Sequence, residues 1–501
     1  MTNQFPPEVD ILAINQTHPD VTANADLLAQ LRLLFVGGKQ LKDNGSRFLV
    51  KRQKELGTSY VQRLSKLTYT NIISSIVSYY TSKLFENNLE YDWKVDGVAA
   101  LPADTAKYYK ELLEDCDNSG TSLARFFENV AVESLVYGRS YFLIDLPKLA
   151  VTPVSLAEQE ALGGNSPYFV HVDPWSVINY QKDKYGKFEW VVLHSLDVVQ
   201  SFLGTPKNVE RWSYYDKTTY AVYQAEWEPN ANKPTKATLV DLGLHAMAGL
   251  QEVPLTCVET GDKLWLGNRV FLPCLDHLNT ENSYGWSLWL ANNPLPVFTN
   301  GKDTEVSANV TVAEYAAITL PAPDSKFEYV EPKGESWKST QAYLESLREN
   351  IYRLCHLVAQ GRSSRASATV QSAVSKEIDM QPAADVLNVF GTLIRTAIQD
   401  ALEDIAEIRN DNTAVDVRGM IFSEDVAQAL AELNALVDSL NIPSETFIKE
   451  TRKKLVRAYL KDANSDLIQQ CIDEIETAPQ TQTTVTPPTL AMNVTERGST
   501  Q

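Results

Sequence analysis

Cysteine, basic charge and long apolar runs are all scarce in this chain of 501 residues, and each scarcity removes a class of function. The five cysteines, Cys116, Cys257, Cys274, Cys355 and Cys471, are odd in number, widely separated and form no CxxC. A disulfide framework or a zinc knuckle needs close, paired spacing, so these read as reduced and mostly buried thiols. No window approaches about eighteen uninterrupted apolar residues, so neither a spanning helix nor a membrane partner is expected. The opening MTNQFPPEVDILAINQTHPD has neither the basic n-region nor the apolar h-region of a signal peptide, and synthesis in the cytoplasm is the expectation. Lys and Arg total 45 against 64 Asp and Glu, a net charge of -19. Tight wrapping of nucleic acid is thereby disfavoured, because non-specific affinity comes mainly from cations displacing phosphate counterions. An acidic surface repels a phosphate backbone over roughly a Debye length, about 8 Å at physiological salt.

Catalytic signatures are missing too. A phosphate-cradling Walker loop needs GxxxxGK(S/T), and neither QGRSSRAS nor FVGGKQLK (Phe35 to Lys42) fits. No GxSxG or HExxH occurs. DCDNSG (Asp115 to Gly120) opens like a calcium loop, but its twelfth position is Phe126 where a bidentate Glu is required, so it reads as a turn before a helix. His171 and Asp173 could be ligands on one strand face, yet no third ligand lies nearby in sequence and Pro174 follows, which favours strand-end packing. Glu226 and Glu228 could serve as paired carboxylates of a carbohydrate-active enzyme, with tryptophans as a sugar platform. Alternation along a solvated strand explains them equally. No catalytic residue, metal or cofactor is assigned, and the expectation is a non-enzyme.

What is present is a patterned chain, 44% hydrophobic and long enough to fill a real core. Apolar residues recur near a 3.6 period at Tyr60, Leu64, Leu67, Ile72, Ile76, Tyr80 and Leu84. GTSLARFFENVAVESLVYG carries a cap candidate at Thr121 or Ser122 and a stop at Gly138, and SYFLIDLP reads as a strand ended by Pro147. From about Tyr168 to Val258 the pattern turns alternating and β-branched, an antiparallel meander, and the class is therefore α+β. Helix returns with Phe271, Leu275, Leu278, Asn282, Trp286 and Trp289 on one face, closed by Pro294. A short β-like insert follows. Leu344, Leu347, Ile351, Leu354 and Val358 then stand at spacings of 3, 4, 3 and 4, a narrow seam of the kind used against another helix. A longer periodic segment runs from about Ser372 to Glu407, and Pro382 inside it should kink it or mark its start. A last helical part spans about Ser423 to Glu476 with an internal cap at Ser444, and the polar, proline-bearing residues from 478 onward read as a tail without a packed core.

One stretch breaks the charge balance. From Gly361 to Lys376 the sequence holds three basic residues and no acid.

Three stretches together resemble the portal proteins of tailed bacteriophages. DNSGTSLARFFENVAVESLVYGRSYFLIDLP resembles the portal segment in which a Gly-x-Ser-Leu helix passes through YG into a strand ending at Asp-x-Pro. LPCLDHLNTENSYGWSLWLANNPLPVFTNG resembles the helix leading into the portal clip, and FEYVEPKGESWKSTQAYLESLRENIYRL the strand and helix leading out. They lie in the family's order between Asp117 and Leu354.

The resemblance implies a dodecameric ring around a DNA channel. Its parts would be a wing of N-terminal helices and β meander (1–268), a first stem helix (269–291), a small β-containing clip (292–336), a second stem helix (337–360), a channel loop (361–371), a long kinked helix with a return to the wing (372–422), a helical crown (423–477) and the tail (478–501). Trp286, Trp289 and the seam residues would pack the stem. Gln360, Gly361, Arg362, Ser363, Ser364 and Arg365 would face the DNA, so that two arginines touch phosphates weakly at one level of an otherwise acidic bore. The implied place is one vertex of a virion capsid. The implied partners are double-stranded DNA in passage, the packaging terminase, a head-tail adaptor or other neck proteins, and the major capsid and scaffolding proteins. Two other readings stay open: a different neck or baseplate protein of a virion, and a carbohydrate-active hydrolase using Glu226 and Glu228.

Overall fold

The structure is a computed structural model that describes residues 5–86, 89–95, 101–148, 164–200, 202, 204–292, 295–299, 326–330, 335–357, 373–420, 445–459 and 465–477. The chain divides into two units, Met1–Phe422 and Ser423–Gln501. The elements of the first are β1 (Glu8–Asp10), α1 (Ile11–Ile14), α2 (Pro19–Val36), α3 (Gly38–Asp43), α4 (Gly57–Ser65), α5 (Ile72–Leu84), β2 (Glu90–Val95), α6 (Ala103–Glu114), α7 (Leu123–Tyr137), β3 (Arg139–Asp145), β4 (Tyr168–Val172), β5 (Val177–Lys182), β6 (Phe188–Val199), β7 (Lys207–Asp216), β8 (Thr219–Trp227), β9 (Lys236–Leu244), β10 (Leu255–Glu259), α8 (Gly261–Leu264), α9 (Leu266–Asn292), β11 (Leu295–Thr299), β12 (Lys326–Val330), α10 (Glu335–Leu354), α11 (Ala373–Arg409) and β13 (Thr413–Arg418). The second unit contains α12 (Glu445–Tyr459) and α13 (Ser465–Thr477). The fold is α+β with antiparallel sheets. No helix among the described residues is long and apolar enough to cross a membrane.

The core of the first unit is built around α7. Its hydroxyl cap is Ser122, which accepts from the Arg125 amide, and it ends at Gly138 in the left-handed region at φ 79°. A Cβ at Gly138 would come within 2.7 Å of the Trp265 ring, so the glycine serves both the turn and the close approach. Apolar side chains surround most of this helix, whose last turn, Ser134 to Tyr137, is buried on all sides while Ala124, Arg125 and Asn129 face solvent. Phe126 and Phe127 meet Phe142 of β3 and Phe169 of β4 edge-on or tilted, at centroid separations of 5.4 to 6.2 Å. Helices α2, α5, α9 and α11 close the same cluster.

The predicted helical run from Tyr60 to Leu84 is two helices. The chain breaks between α4 and α5, where Asn71 caps α5 and the Thr68 and Thr70 amides donate to Asn282 and Glu281 of α9. The single meander is likewise partitioned. β5 to β9 do form one sheet, in the order β1-β9-β8-β7-β6-β5, while β4 and β10 leave it to flank β3. The reason lies in β3. Tyr141, Phe142, Leu143 and Ile144 are all buried, so this strand presents apolar side chains on both faces and is the centre of its own sheet. Phe142 and Ile144 join the α7 core, whereas Tyr141 and Leu143 pack on the six-stranded sheet. The other face of that sheet is covered by the N-terminal segment: Phe5, Ile11 and Ile14 join its apolar cluster, Tyr223 donates to the Pro6 carbonyl and Trp212 to the Asn15 side chain.

β2 and β13 pair with each other, a strand couple absent from the expectations above. α11 begins and ends within two residues of the predicted limits and contains Pro382. In the second unit Lys453 pairs with Glu450 of its own helix and Glu476 of α13, and α12 starts immediately after Ser444. Ser444 itself, residues 421–444 and residues 478–501 lie outside the described residues.

Candidate functional site

α9 and α10 form an antiparallel pair joined through the β11–β12 hairpin, whose register runs from Leu295↔Val330 to Thr299↔Lys326. Two polar ties fix the pairing. Tyr343 donates to Asp276 at 2.7 Å, and the Arg269 guanidinium reaches the Leu354 carbonyl at 3.2 Å and His356 Nε2 at 3.3 Å. Asp276 and Arg269 lie about two turns apart on α9, and Tyr343 and the end of α10 about three turns apart.

The end of α10 is sharply defined. His356 takes a left-handed conformation at φ 60°, its amide bonds to the Arg353 carbonyl, and the Leu357 amide bonds back to Tyr352 at 2.8 Å. These two bonds make a Schellman stop with histidine where glycine is usual. Tyr80 of α5 donates to the carbonyl of Cys355, anchoring the stop to the core. Burial, then the Arg269 charge, pushes the His356 pKa down, and burial pushes the Cys355 thiol up to about 12. The basic segment departs from a pinned helix end.

The seam predicted on α10 is only partly buried. Ile351 is fully buried and Leu344 and Leu347 are half-buried, but Leu354 is 40% exposed. Burial passes instead to Tyr352, Cys355 and Leu357. Two physical causes act together. A spacing of 3.5 drifts around a straight helix of 3.6 residues per turn, and the Schellman stop turns the chain inward just after Leu354. Trp286 and Trp289 stack on each other at 4.9 Å near the hairpin end of α9, with Lys66 held 3.8 Å from the Trp289 ring and 36% of Trp289 left exposed. Val358, Gln360, Gly361, Arg362, Ser363, Ser364 and Arg365 lie outside the described residues.

An open groove of about 580 Å³ lies along the pair, lined by Leu272, Pro273, Asp276, Leu347, Asn350, Arg353 and Leu354. Leu272 is 71% exposed. The helical-face reading of α9 did not include Leu272, although its side chain is adjacent to Phe271 in sequence; the signal was an apolar residue just off the predicted stripe.

The residues weighed for chemistry have structural partners. Asp115 and Asp117 turn their carboxylates onto the backbone amides of Ser119, Gly120 and Thr121, an Asx-type turn. Glu226 projects from the solvated half of the six-stranded sheet, accepts from Gln224 at 2.6 Å and pairs with Lys207 at 3.6 Å; Glu228 follows it, exposed, past the strand end. Glu133 of α7 approaches His171 and Asp173, a third candidate ligand that the local sequence did not offer.

Comparisons bear on the same region. Residues 274–407 match a family described as a domain of unknown function (DUF4055). The match runs from α9 through the hairpin and α10 into α11, about a quarter of the chain. No curated protein matches. Among solved structures, a chain from the neck of an empty GTA particle, computed with C6 symmetry, aligns over 74% of this chain and 86% of its own length at 11% identity and a TM-score of 0.40. At that level the likeness assigns no role to any residue.

Proposed function

We propose that this chain is a structural component of the neck of a phage-like particle, and more specifically its portal: a ring of twelve copies at one capsid vertex that conducts double-stranded DNA during packaging and ejection. The observation that carries the reading is the excursion α9–β11–β12–α10, two paired helices that leave an apolar groove open and lead through a pinned stop into a basic segment and a long return helix. Stem, clip, channel loop and long helix follow one another in that order in the portal resemblance. In this reading Arg362 and Arg365 supply a narrow positive ring in an acidic bore, which guides DNA without gripping it. The terminase and then an adaptor dock at the hairpin end, and the major capsid and scaffolding proteins meet the body. The protein performs no catalysis; the motor is separate. The solvent-facing, ion-paired position of Glu226 favours this over the hydrolase reading.

Light scattering on the purified full-length chain, followed by negative-stain class averages, tests the proposal. The expected particle has roughly twelve times the chain mass of 55.9 kDa and a central hole. A monomer that stays monomeric at high concentration and in the presence of scaffolding protein overturns it, and an oligomer without a hole leaves only the coarser neck role. Arg362→Glu combined with Arg365→Glu should leave the ring intact and impair DNA packaging or retention; normal packaging in that variant removes the DNA-facing loop from the reading.

A further inference from the structure

Three elements of the α7 core converge on a small polar cluster that plays no part in the assembly reading. Glu133 comes from α7, His171 from β4 and Asp173 from the turn after it, and one donor atom from each lies within 4.8 Å of the other two. His171 Nε2 stands 2.9 Å from Glu133 Oε2. The same oxygen accepts from the Ser140 hydroxyl at 2.8 Å, which orients the carboxylate from β3. His171 is partly open to solvent, so the cluster has an entry path.

One imidazole nitrogen with two carboxylates is a mixed donor set. Magnesium and calcium favour all-oxygen shells, whereas zinc and its neighbours take imidazole with carboxylate at about 2.0–2.2 Å. Donors around such an ion stand roughly 3.3 Å apart, so His171 and Glu133, now at 2.9 Å, need only part slightly while Asp173 moves inward by a small rotation. We propose that Glu133, His171 and Asp173 bind a divalent transition-metal ion of the zinc class, with water completing the shell. The ion takes the place of the hydrogen bond between His171 and Glu133. It ties the last turns of α7 to the three-stranded sheet, stiffening the junction on which the rest of the core is built.

The test is titration calorimetry of the full-length chain, stripped with EDTA and exchanged into chelator-free buffer, against Zn2+ and separately against Mg2+. The expected result is one Zn2+ per chain with a Kd in the micromolar range or tighter, no comparable Mg2+ binding, and an unfolding temperature that rises with Zn2+ alone. His171→Ala and Asp173→Asn should each weaken Zn2+ binding at least tenfold while melting as the metal-free parent does; the second keeps size and hydrogen bonding, so loss of fold does not confound it. Replacing Zn2+ by Co2+ should give the visible absorption of a low-coordinate nitrogen and oxygen site. Absence of Zn2+ binding, or undiminished affinity in both variants, overturns the site and leaves Glu133–His171 as a simple hydrogen-bonded pair.

Discussion

α7 and α10 are helices of 15 and 20 residues, and they differ in what surrounds them. The apolar side chains of α7 are buried within the same chain, with four phenylalanines interlocked between it and its neighbouring strands and only Ala124, Arg125 and Asn129 turned to solvent. α10 is sealed at one end, by Ile351 and the Schellman stop, and open along most of its length, where Leu347 and Leu354 line a groove shared with Leu272 of α9. Burial is finished within one chain at α7 and unfinished at α10. A single copy satisfies the first helix; the second leaves apolar surface for something else to cover.

The closed end of this contrast predicts the largest effect. Phe127 is fully buried at the centre of the aromatic cluster, and Phe127→Ala should destabilise the first unit by about 3–5 kcal/mol, the usual cost of a large cavity. Urea unfolding measures it. A cost below about 1 kcal/mol would mean that the cluster can collapse around the gap and that α7 is less tightly enclosed than its contacts imply.

A smaller effect is expected where the closure is polar. Arg63 grips Glu55 through two bonds, at 2.8 and 2.9 Å, and also donates to the Val50 carbonyl; both side chains are nearly inaccessible. The Arg63 bond holds the Glu55 carboxyl down at about 2, against an ordinary value of 4.5, although burial alone would raise it. A depressed folded-state pKa contributes stability that is complete above the unfolded value and is lost as pH falls through the folded one. Glu55→Gln should therefore cost about 1–3 kcal/mol at pH 7, and the gap between parent and variant should shrink as pH falls from 4.5 toward 2. An equal gap at pH 7 and pH 3 would assign the cost to packing and not to the charge.

Much of this contrast was legible in the sequence, and the part that was not has a physical cause. The bounds of α7 followed from Ser122 and Gly138, because caps are local chemistry. The limits of α11 followed from periodicity. The sheet partition did not, since β3 recruits β4 and β10 through burial on both its faces, a demand visible only once the core exists. The pair β2 and β13 alternates in EYDWKV and TAVDVR, but each strand has its partner at the far end of the first unit, and charged residues on the outer face diluted the signal. Heptad spacing placed Leu354 on a buried seam; the left-handed His356 undid that placement, and nothing in the residue type announced it. The cluster at His171 was incomplete in sequence because Glu133 arrives from another element.

The smallest effect on stability is also the sharpest test of the open end. Leu272 is mostly in contact with water and Leu354 is 40% exposed, so Leu272→Asp with Leu354→Asp removes limited burial and should change the unfolding free energy of the isolated chain by about 1–2 kcal/mol at most. Ile351→Asp, one turn away on α10, should by contrast unfold the chain, because a lone charge placed in the core costs several kcal/mol. If the groove is the seat of a neighbouring copy, the aspartates of the double variant become desolvated only on assembly, and the variant should melt like the parent yet remain a monomer in light scattering. Assembly undiminished in that variant would show that the exposed leucines are ordinary surface, and the difference between α7 and α10 would then be one of degree. Loss of assembly with the fold intact would place the missing partner of α10 on another copy of the same chain.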